Sequence, residues 1–316
     1  MAQPTPQDLH VDALLTVMSI AYMNEDSVYI ADKIFPQVSV AKQSNKIAKY
    51  DKEFWFRNEA EIRAPSTETA GGGFTVNTSD TYFCDNYGWH MDVADEDRAN
   101  YDAPFDPDND ATLLAVDKLR LCREVKWAGD FFKTGVWGTT TTLSGTDQWS
   151  DYANSDPIGN VETAREAIFS ATGKDPKDLT VGRAVWAKMK HHPDFLERIK
   201  YTQKAILTRD LVASLLEVDN LFVGEAIQNT TKEAASTQTY AYIFGKHALL
   251  TYAPKRPGLR VPSCGYTFSW SKMGGLSYMR RLRIDSRQCD RIEGHTFFDQ
   301  KALATDCGYI YLNAVA

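Results

Sequence analysis

Polar and apolar positions along the 316-residue chain change their period several times, and each change marks a different element. Residues 1–45 begin polar and then mix, with Leu14, Leu15, Val17, Met18 and Ile20 spaced for a short helix. Pro36 ends whatever precedes it, so this segment reads as an arm rather than as core. From Lys46 to about Met91 the pattern is β-like and rich in aromatics: Phe54, Trp55, Phe56, Phe74, Tyr82, Phe83, Tyr87 and Trp89. Between these aromatics lies a turn-rich run, Ala64-Pro65-Ser66-Thr67-Glu68-Thr69-Ala70-Gly71-Gly72-Gly73, with no apolar period. Two extended limbs around a flexible tip predict a long β-hairpin. On its rising limb Arg57, Glu59, Glu61 and Arg63 are each two apart, so a strand places all four on one face. Such a strip suits docking onto another surface. Exposed cross-strand ion pairs, each well under ~1 kcal/mol, account for it equally well.

Asp106-Pro107-Asp108-Asn109-Asp110 opens the longest helical pattern, carried by Leu113, Leu114, Val116, Leu119, Leu121, Val125 and Trp127, with Gly135 as its stop. From Pro107 to Thr134 it would span about 40 Å, the length of a spine across a subunit. After the Thr-rich linker 139–142, Asp156-Pro157 reads as an N-cap followed by proline at the first helical position. Ile158, Val161, Ala164 and Ile168 make one stripe, and Gly173 closes it. A strand at 179–181, helices at 184–190 and 193–200, and a third helix capped by Thr208 follow. Strand-like runs at 221–223, 240–244 and 248–252 then alternate with these helices, the pattern of an α/β layer. Strands return at 282–284 and 309–312. No internal repeat is visible.

Composition is that of an ordinary globular protein, 43% hydrophobic and 24% charged. No window approaches 18 consecutive apolar residues and the N-terminus has no basic-then-apolar start, so a soluble protein made in the cytoplasm is expected. Charge distribution says more. Residues 1–110 carry 20 acids against 8 bases, −12, and 111–316 carry +5, which together give the net −7. An acidic reach serving a basic body, in the same or a neighbouring subunit, is one reading; two solvated faces without a partner is the other. The five cysteines, Cys84, Cys122, Cys264, Cys289 and Cys307, are scattered and odd in number, and read as free, mostly buried thiols.

Candidate chemistry is sparse. Asp106, Asp108, Asp110 and Asp117 occupy positions 1, 3, 5 and 12 of a calcium loop, but the sixth-position glycine is missing and Pro107 intrudes. Capping and the helix dipole already give these acids a reason to be there. His191-His192 lies near Asp194 and Glu197, yet adjacent side chains diverge on a helix, and a solvated helix end is expected. Gly71-Gly72-Gly73 lacks the Lys-Ser/Thr of a phosphate loop, and no nucleophile elbow or zincin motif occurs. Met279-Arg280-Arg281-Leu282-Arg283 suits phosphate contact or a half-buried strand with one charged face. For a chain this long, the missing catalytic constellation favours a structural role.

Several runs point to a family. Asp51-Lys52-Glu53-Phe54-Trp55-Phe56-Arg57-Asn58-Glu59-Ala60 leads into Ile62-Arg63-Ala64-Pro65 and Gly72-Gly73-Phe74. Asp95-Glu96-Asp97-Arg98-Ala99-Asn100-Tyr101-Asp102 precedes the long helix. Leu179-Thr180-Val181-Gly182 with Val185-Trp186, and His192-Pro193 with Glu197-Arg198-Ile199-Lys200, follow it. In this order they resemble the major capsid proteins of tailed bacteriophages, the Hong Kong 97-type fold, over about residues 30–316. The resemblance implies an α+β chain with an N-arm at 1–45 and an extended β-hairpin loop at 46–95. A peripheral domain at 96–154 would hold the spine helix, about 107–134. An α/β axial domain at 155–250 and returning strands at 251–316 would complete it.

The implied role is a non-enzymatic subunit that self-assembles into an icosahedral shell around double-stranded phage DNA, with no catalytic, cofactor or metal site. Implied partners are further copies in pentamers and hexamers, DNA held weakly and non-specifically on the inner face, and portal, scaffolding and decoration proteins, with no membrane. The implied location is the virion, assembled in the host cytoplasm. The chain starts at the arm, which implies a separate scaffold or a removed segment. Lys49 and Lys52 lie near the hairpin base, so the crosslinking of some relatives is not carried over. The candidate interface residues are Arg57, Glu59, Glu61, Arg63, Gly71, Gly72 and Gly73. The charge split adds an expectation: the acidic stretch 80–110 or the loop docks on a neighbour's basic surface within 174–283, and molar salt weakens assembly. An encapsulin-like compartment around a cargo enzyme, or an Asp/His hydrolase, are the alternatives.

Overall fold

A computed structural model describes residues 24–101, 106–199, 207–233, 235–254, 256, 258 and 261–316. The short helix expected around Leu14–Ile20 lies outside the described residues. The chain enters with α1 (Ala31–Ile34) and β1 (Gln37–Val40), then β2 (Ser44–Lys46), β3 (Lys49–Tyr50) and α2 (Lys52–Phe56). An exposed excursion returns through β4 (Val76–Asn77), β5 (Thr81–Phe83) and the ten-residue β6 (Asp85–Ala94). A short α3 (Asp95–Asn100) precedes the long α4 (Pro107–Phe131), and β7 (Thr139–Thr142) follows it. Next come α5 (Pro157–Thr172), β8 (Asp178–Gly182), α6 (Arg183–Met189), α7 (Pro193–Ile199) and α8 (Arg209–Leu215). The remainder is β9 (Asn220–Gly224), β10 (Ile227–Asn229), β11 (Tyr240–Tyr242), β12 (Ala248–Thr251), β13 (Gly265–Trp270), β14 (Tyr278–Ile284), β15 (Cys289–Ala302) and β16 (Gly308–Leu312). No described helix is long and apolar enough to cross a membrane.

Helix ends obey local chemistry. The Asp106 carboxylate accepts from the N–H groups of Asp108 and Asn109 at 3.1 and 3.4 Å, with Pro107 in the first turn. Asp156 caps α5 the same way, accepting from Gly159 N–H at 2.8 Å, and Gly173 closes that helix at φ 65°. At 1.5 Å per residue α4 runs about 37 Å. It stops at Phe131, three residues before the expected end, and Gly135 turns the chain at φ 80°.

Two five-stranded sheets hold the chain. One is ordered β7-β16-β12-β8-β9; the other is β1-β13-β15-β14, with β6 also paired to β15. Strands β8, β12 and most of β16 are buried throughout, as expected where both faces are covered. Alternation sorts their side chains: Ala248, Leu250, Tyr309 and Tyr311 meet α5, while Leu249 and Ile310 face Trp127 and Phe131 of α4. The other end of α4 packs on the second sheet, with Ala111 against Val93 and Ile292. The spine therefore bridges both sheets, and the loop before it is carried out to one side.

Two expectations fail. The segment read as an arm reaches the core at four residues: Ile30, Ala31, Ile34 and Phe35 are buried with Trp127 and Phe131, and the half-exposed β1 adds a parallel strand to β13. Its apolar residues are too few and too short in period to signal this locally; only the facing helix gives them a place. The rising limb is also not a strand. Phe54, Trp55 and Phe56 lie in α2, and residues 57–75 join no ladder. The hairpin pairs only at its base, β3 with β4 and β2 with β5.

Candidate functional site

The loop between Asp51 and Thr75 is where this molecule presents an unused surface. Arg57, Glu59, Glu61 and Arg63 are all exposed, but without a ladder they do not form a common face. Arg57 Nη1 meets Glu59 Oε1 at 3.2 Å, and its guanidinium sits 5.7 Å from the Phe54 ring centre. Gly71 and Gly73 stand in open space, whereas Gly72 lets the Glu59 carboxylate approach where a Cβ would collide with it. The two limbs meet there.

Sequence reasoning missed the aromatic knot at the loop's base. Tyr50, Trp55 and Phe74 touch one another with ring centroids 5.8 to 6.3 Å apart. Trp55 is nonetheless 55% exposed and Phe74 57%, and Phe56 beside them is exposed as well. Three large rings held together in water form an apolar knob, the kind of patch that marks an interaction surface. The aromatic density was visible, but it was assigned to alternating strand faces. A shallow groove of about 440 Å³ lies on α4 and β6, lined by Tyr87, Lys118, Leu121, Cys122, Val125 and Lys126. Lys126 Nζ stands 5.7 Å over the Tyr87 ring, so the rim is basic and the floor apolar.

The acidic stretch does not wait for a neighbour. Strand β15 pairs with β6 on one side and β14 on the other, which brings acids of 92–108 onto arginines of 280–291 within one chain. Asp290, nearly buried, meets Arg281 and lies 3.1 Å from Arg98 and 3.3 Å from Arg283. Arg283 also grips Asp95 at 2.5 Å, Arg98 reaches Asp108 at 2.8 Å, and Arg291 holds Asp92 at 2.7 Å. Hydrogen bonding from Arg281 holds the Asp290 carboxyl below the usual carboxylate range, and Arg291 and Arg283 do the same for Asp92 and Asp95. Asp92, Asp95 and Asp108 thus find arginines inside the subunit, the same-subunit reading of the charge split for these three acids. Met279–Arg283 is not half-buried: four of its five positions are exposed, Leu282 included, and its arginines pair with acids of neighbouring elements.

The other candidates have structural occupations. Asp106 caps α4, Asp108 serves the arginines, and Asp117 accepts from the Tyr29 hydroxyl at 2.7 Å. His192 is fully buried, not solvated at a helix end, while His191 is exposed. It contacts Ser155 Oγ at 3.1 Å through Nε2 and Asp194 Oδ2 at 3.4 Å through Nδ1, a Ser-His-Asp constellation by distance. The hydrogen bonds run the wrong way for catalysis. Ser155 Oγ donates to the Asp151 carbonyl at 2.6 Å, and His192 Nδ1 accepts from Asp194 N–H at 3.3 Å. Nε2 therefore carries the proton and donates to Ser155, so this imidazole is not placed to take the serine's proton. Four cysteines are buried and Cys122 half-buried, all free; burial pushes Cys84 up to about 11 and Cys307 up to about 12.

Comparison with known proteins agrees with this geometry. Residues 135–259 match the model of the family described as phage major capsid protein E. The major capsid protein of Burkholderia phage BcepMu is 29% identical over 315 residues, 95% of each chain. The crystal structure of a phage-related protein from Bordetella bronchiseptica RB50 superposes at a TM-score of 0.71, with 23% identity, over 92% of this chain and 94% of that one. The capsid structure of cyanophage P-SCSP1u gives 0.64 with 12% identity, over 98% and 95%. Two bridged sheets, a spine helix and an outlying loop are the Hong Kong 97-type architecture. Within it, the chain is similar over nearly its whole length to the major capsid proteins of Burkholderia phage BcepMu and Pseudomonas phage JBD67.

Proposed function

We propose that copies of this chain associate head-to-tail into the pentamers and hexamers of an icosahedral shell enclosing double-stranded phage DNA, the loop of one subunit lying on the spine of the next. The observation that carries this reading is the pairing of a convex aromatic knob, Tyr50, Trp55 and Phe74, with a concave apolar groove elsewhere on the same chain. Two unlike patches on one molecule generate rings rather than isolated dimers. Arg57, Glu59, Glu61, Arg63 and Gly71–Gly73 lie just beyond the knob and would follow it onto the neighbour. The net charge of −7 suits a container that holds packaged DNA weakly and without sequence preference. Assembly in the host cytoplasm, residence in the virion, and portal, scaffolding and decoration partners belong to the same reading. So does the absence of enzymatic activity, supported by the hydrogen-bond direction at Ser155 and His192.

An encapsulin from Synechococcus elongatus PCC 7942 shares the fold at a TM-score of 0.56 and 9% identity, over 99% of this chain and 96% of that one. The near full-length identity to a phage capsid protein favours the phage reading over a cargo compartment. The test is a double variant, Trp55→Ala with Phe74→Ala, examined by sedimentation velocity and circular dichroism. Central interface aromatics commonly cost ~2 kcal/mol or more each when truncated. The folded spectrum should persist while shell-sized particles give way to small oligomers. Shells at wild-type yield would refute the assigned contact.

A further inference from the structure

The segment from Asp26 to Phe35 is fastened along one stripe of α4. Asp117, Arg120 and Glu124 recur at three- and four-residue spacing and share a face. Asp117 Oδ1 accepts from the Tyr29 hydroxyl at 2.7 Å, Arg120 pairs with Asp26, and the neighbouring Arg123 pairs with Asp32 at 3.1 Å. Glu124 differs from these surface pairs. It is 2% exposed, and its two oxygens accept the backbone N–H groups of Ile30 and Ala31 at 2.8 and 2.9 Å. Beneath it Ile30, Ile34 and Phe35 pack on Trp127 and Phe131. Among the described residues no cation pairs with this carboxylate, and its two hydrogen-bond partners are main-chain amides of the strap itself. If the strap lifts, the carboxylate returns to water.

We propose that Glu124 is a proton-sensitive clasp, holding the 26–35 strap on the spine helix firmly in mild acid and less firmly as pH rises through neutrality. This does not rest on the shell reading, because every group involved lies in one subunit. Burial disfavours the charged carboxylate and lifts it to about 7, against the opposing pull of the Ile30 and Ala31 amides. Asp32 of the strap pushes in the same direction as burial, and Arg123 of α4 pushes against it. The Tyr29 hydroxyl, also of the strap, faces the same carboxylate and is held protonated far above this range by burial and by Asp117. On an open helix face the carboxyl would titrate near ~4.3. The closed strap therefore binds more protons than the open one. Its advantage is complete below the open-state value and lost as pH rises through about 7.

Hydrogen exchange of the full-length chain between pH 5 and 8 tests this, read as protection of the peptide spanning 26–36 after correction for chemical exchange at each pH. Opening of that peptide should increase on the order of fifty-fold across the range, while α5 peptides stay level. In Glu124→Gln the titration is removed and only one of the two amides keeps an acceptor, since the new Nε2 donates; the strap should open more at every pH, but the slope should vanish. Asp32→Asn, at a half-exposed position, should keep the slope and move its midpoint to lower pH. A wild-type profile flat across the range overturns the clasp, as does the same slope in Glu124→Gln. Where Glu124→Gln does not fold, an unmoved midpoint in Asp32→Asn overturns it.

Discussion

Asp290 shows how much of this molecule's order depends on single charges placed by register. Its carboxylate is nearly out of water and stands among Arg98, Arg281 and Arg283. Removing it leaves three guanidinium groups facing one another around a site that Asp95 and Asp108 only partly neutralise. Asp290→Asn should lower the melting temperature by several degrees at pH 7. Because Asp290 is held below its ordinary range, its contribution is present above the unfolded value, ~3.9, and is lost as pH falls through the folded one. The gap between wild type and Asp290→Asn in thermal melts should therefore narrow toward pH 3; a constant gap would point to packing instead. The sequence showed an acidic stretch and alternating arginines but not their meeting. That meeting depends on β15 being paired on both edges, and partners some two hundred residues apart leave no local trace. His192 failed in the same way: neighbouring residues argued that only one histidine turns inward, but Ser155, which receives it, is remote in sequence.

At the scale of elements, period and capping were reliable where burial is local. Asp106-Pro107 and Asp156-Pro157 start helices as their chemistry requires, and the strands at 178–182, 248–251 and 308–312 sit where apolar runs predicted them. The failures lie where an element needs a partner outside its own segment. The charged alternation at 57–63 has the period of a strand, but no second limb pairs with it, and unpaired backbone in water gains nothing from a ladder. Conversely, residues 30–36 look like a linker, and four of them reach the core because Gly265 leaves room for the Phe35 ring. Gly265→Ala tests that seat directly. A methyl group there runs into the Phe35 ring and the Lys301 carbonyl oxygen of β15 alike, and chemical denaturation should report a loss of ~1–3 kcal/mol that Phe35→Ala in the same background reduces. No loss would mean that this segment is the detached arm its sequence suggests.

The whole molecule is two sheets joined by a bridging helix, with one loop reaching beyond the body. The compact chain suggested by 316 residues and a net charge of −7 is correct for the body and wrong for the loop. Part of the charge of the acidic and basic halves joins β6 and β14 to β15 inside one subunit. The apolar surface presented alongside the charged loop is the knob at Tyr50, Trp55 and Phe74, and the floor of the groove on α4. Ser155 and His192 hold the α5 entry and the α6–α7 turn together, Ser155 Oγ donating to the Asp151 carbonyl and His192 Nδ1 accepting from Asp194 N–H. Electron microscopy of the purified full-length protein tests the central claim most directly. The account predicts closed shells with five-fold and six-fold clusters of a single subunit type. A protein that stays monomeric at assembly concentrations, or that forms only open or irregular aggregates, would contradict it.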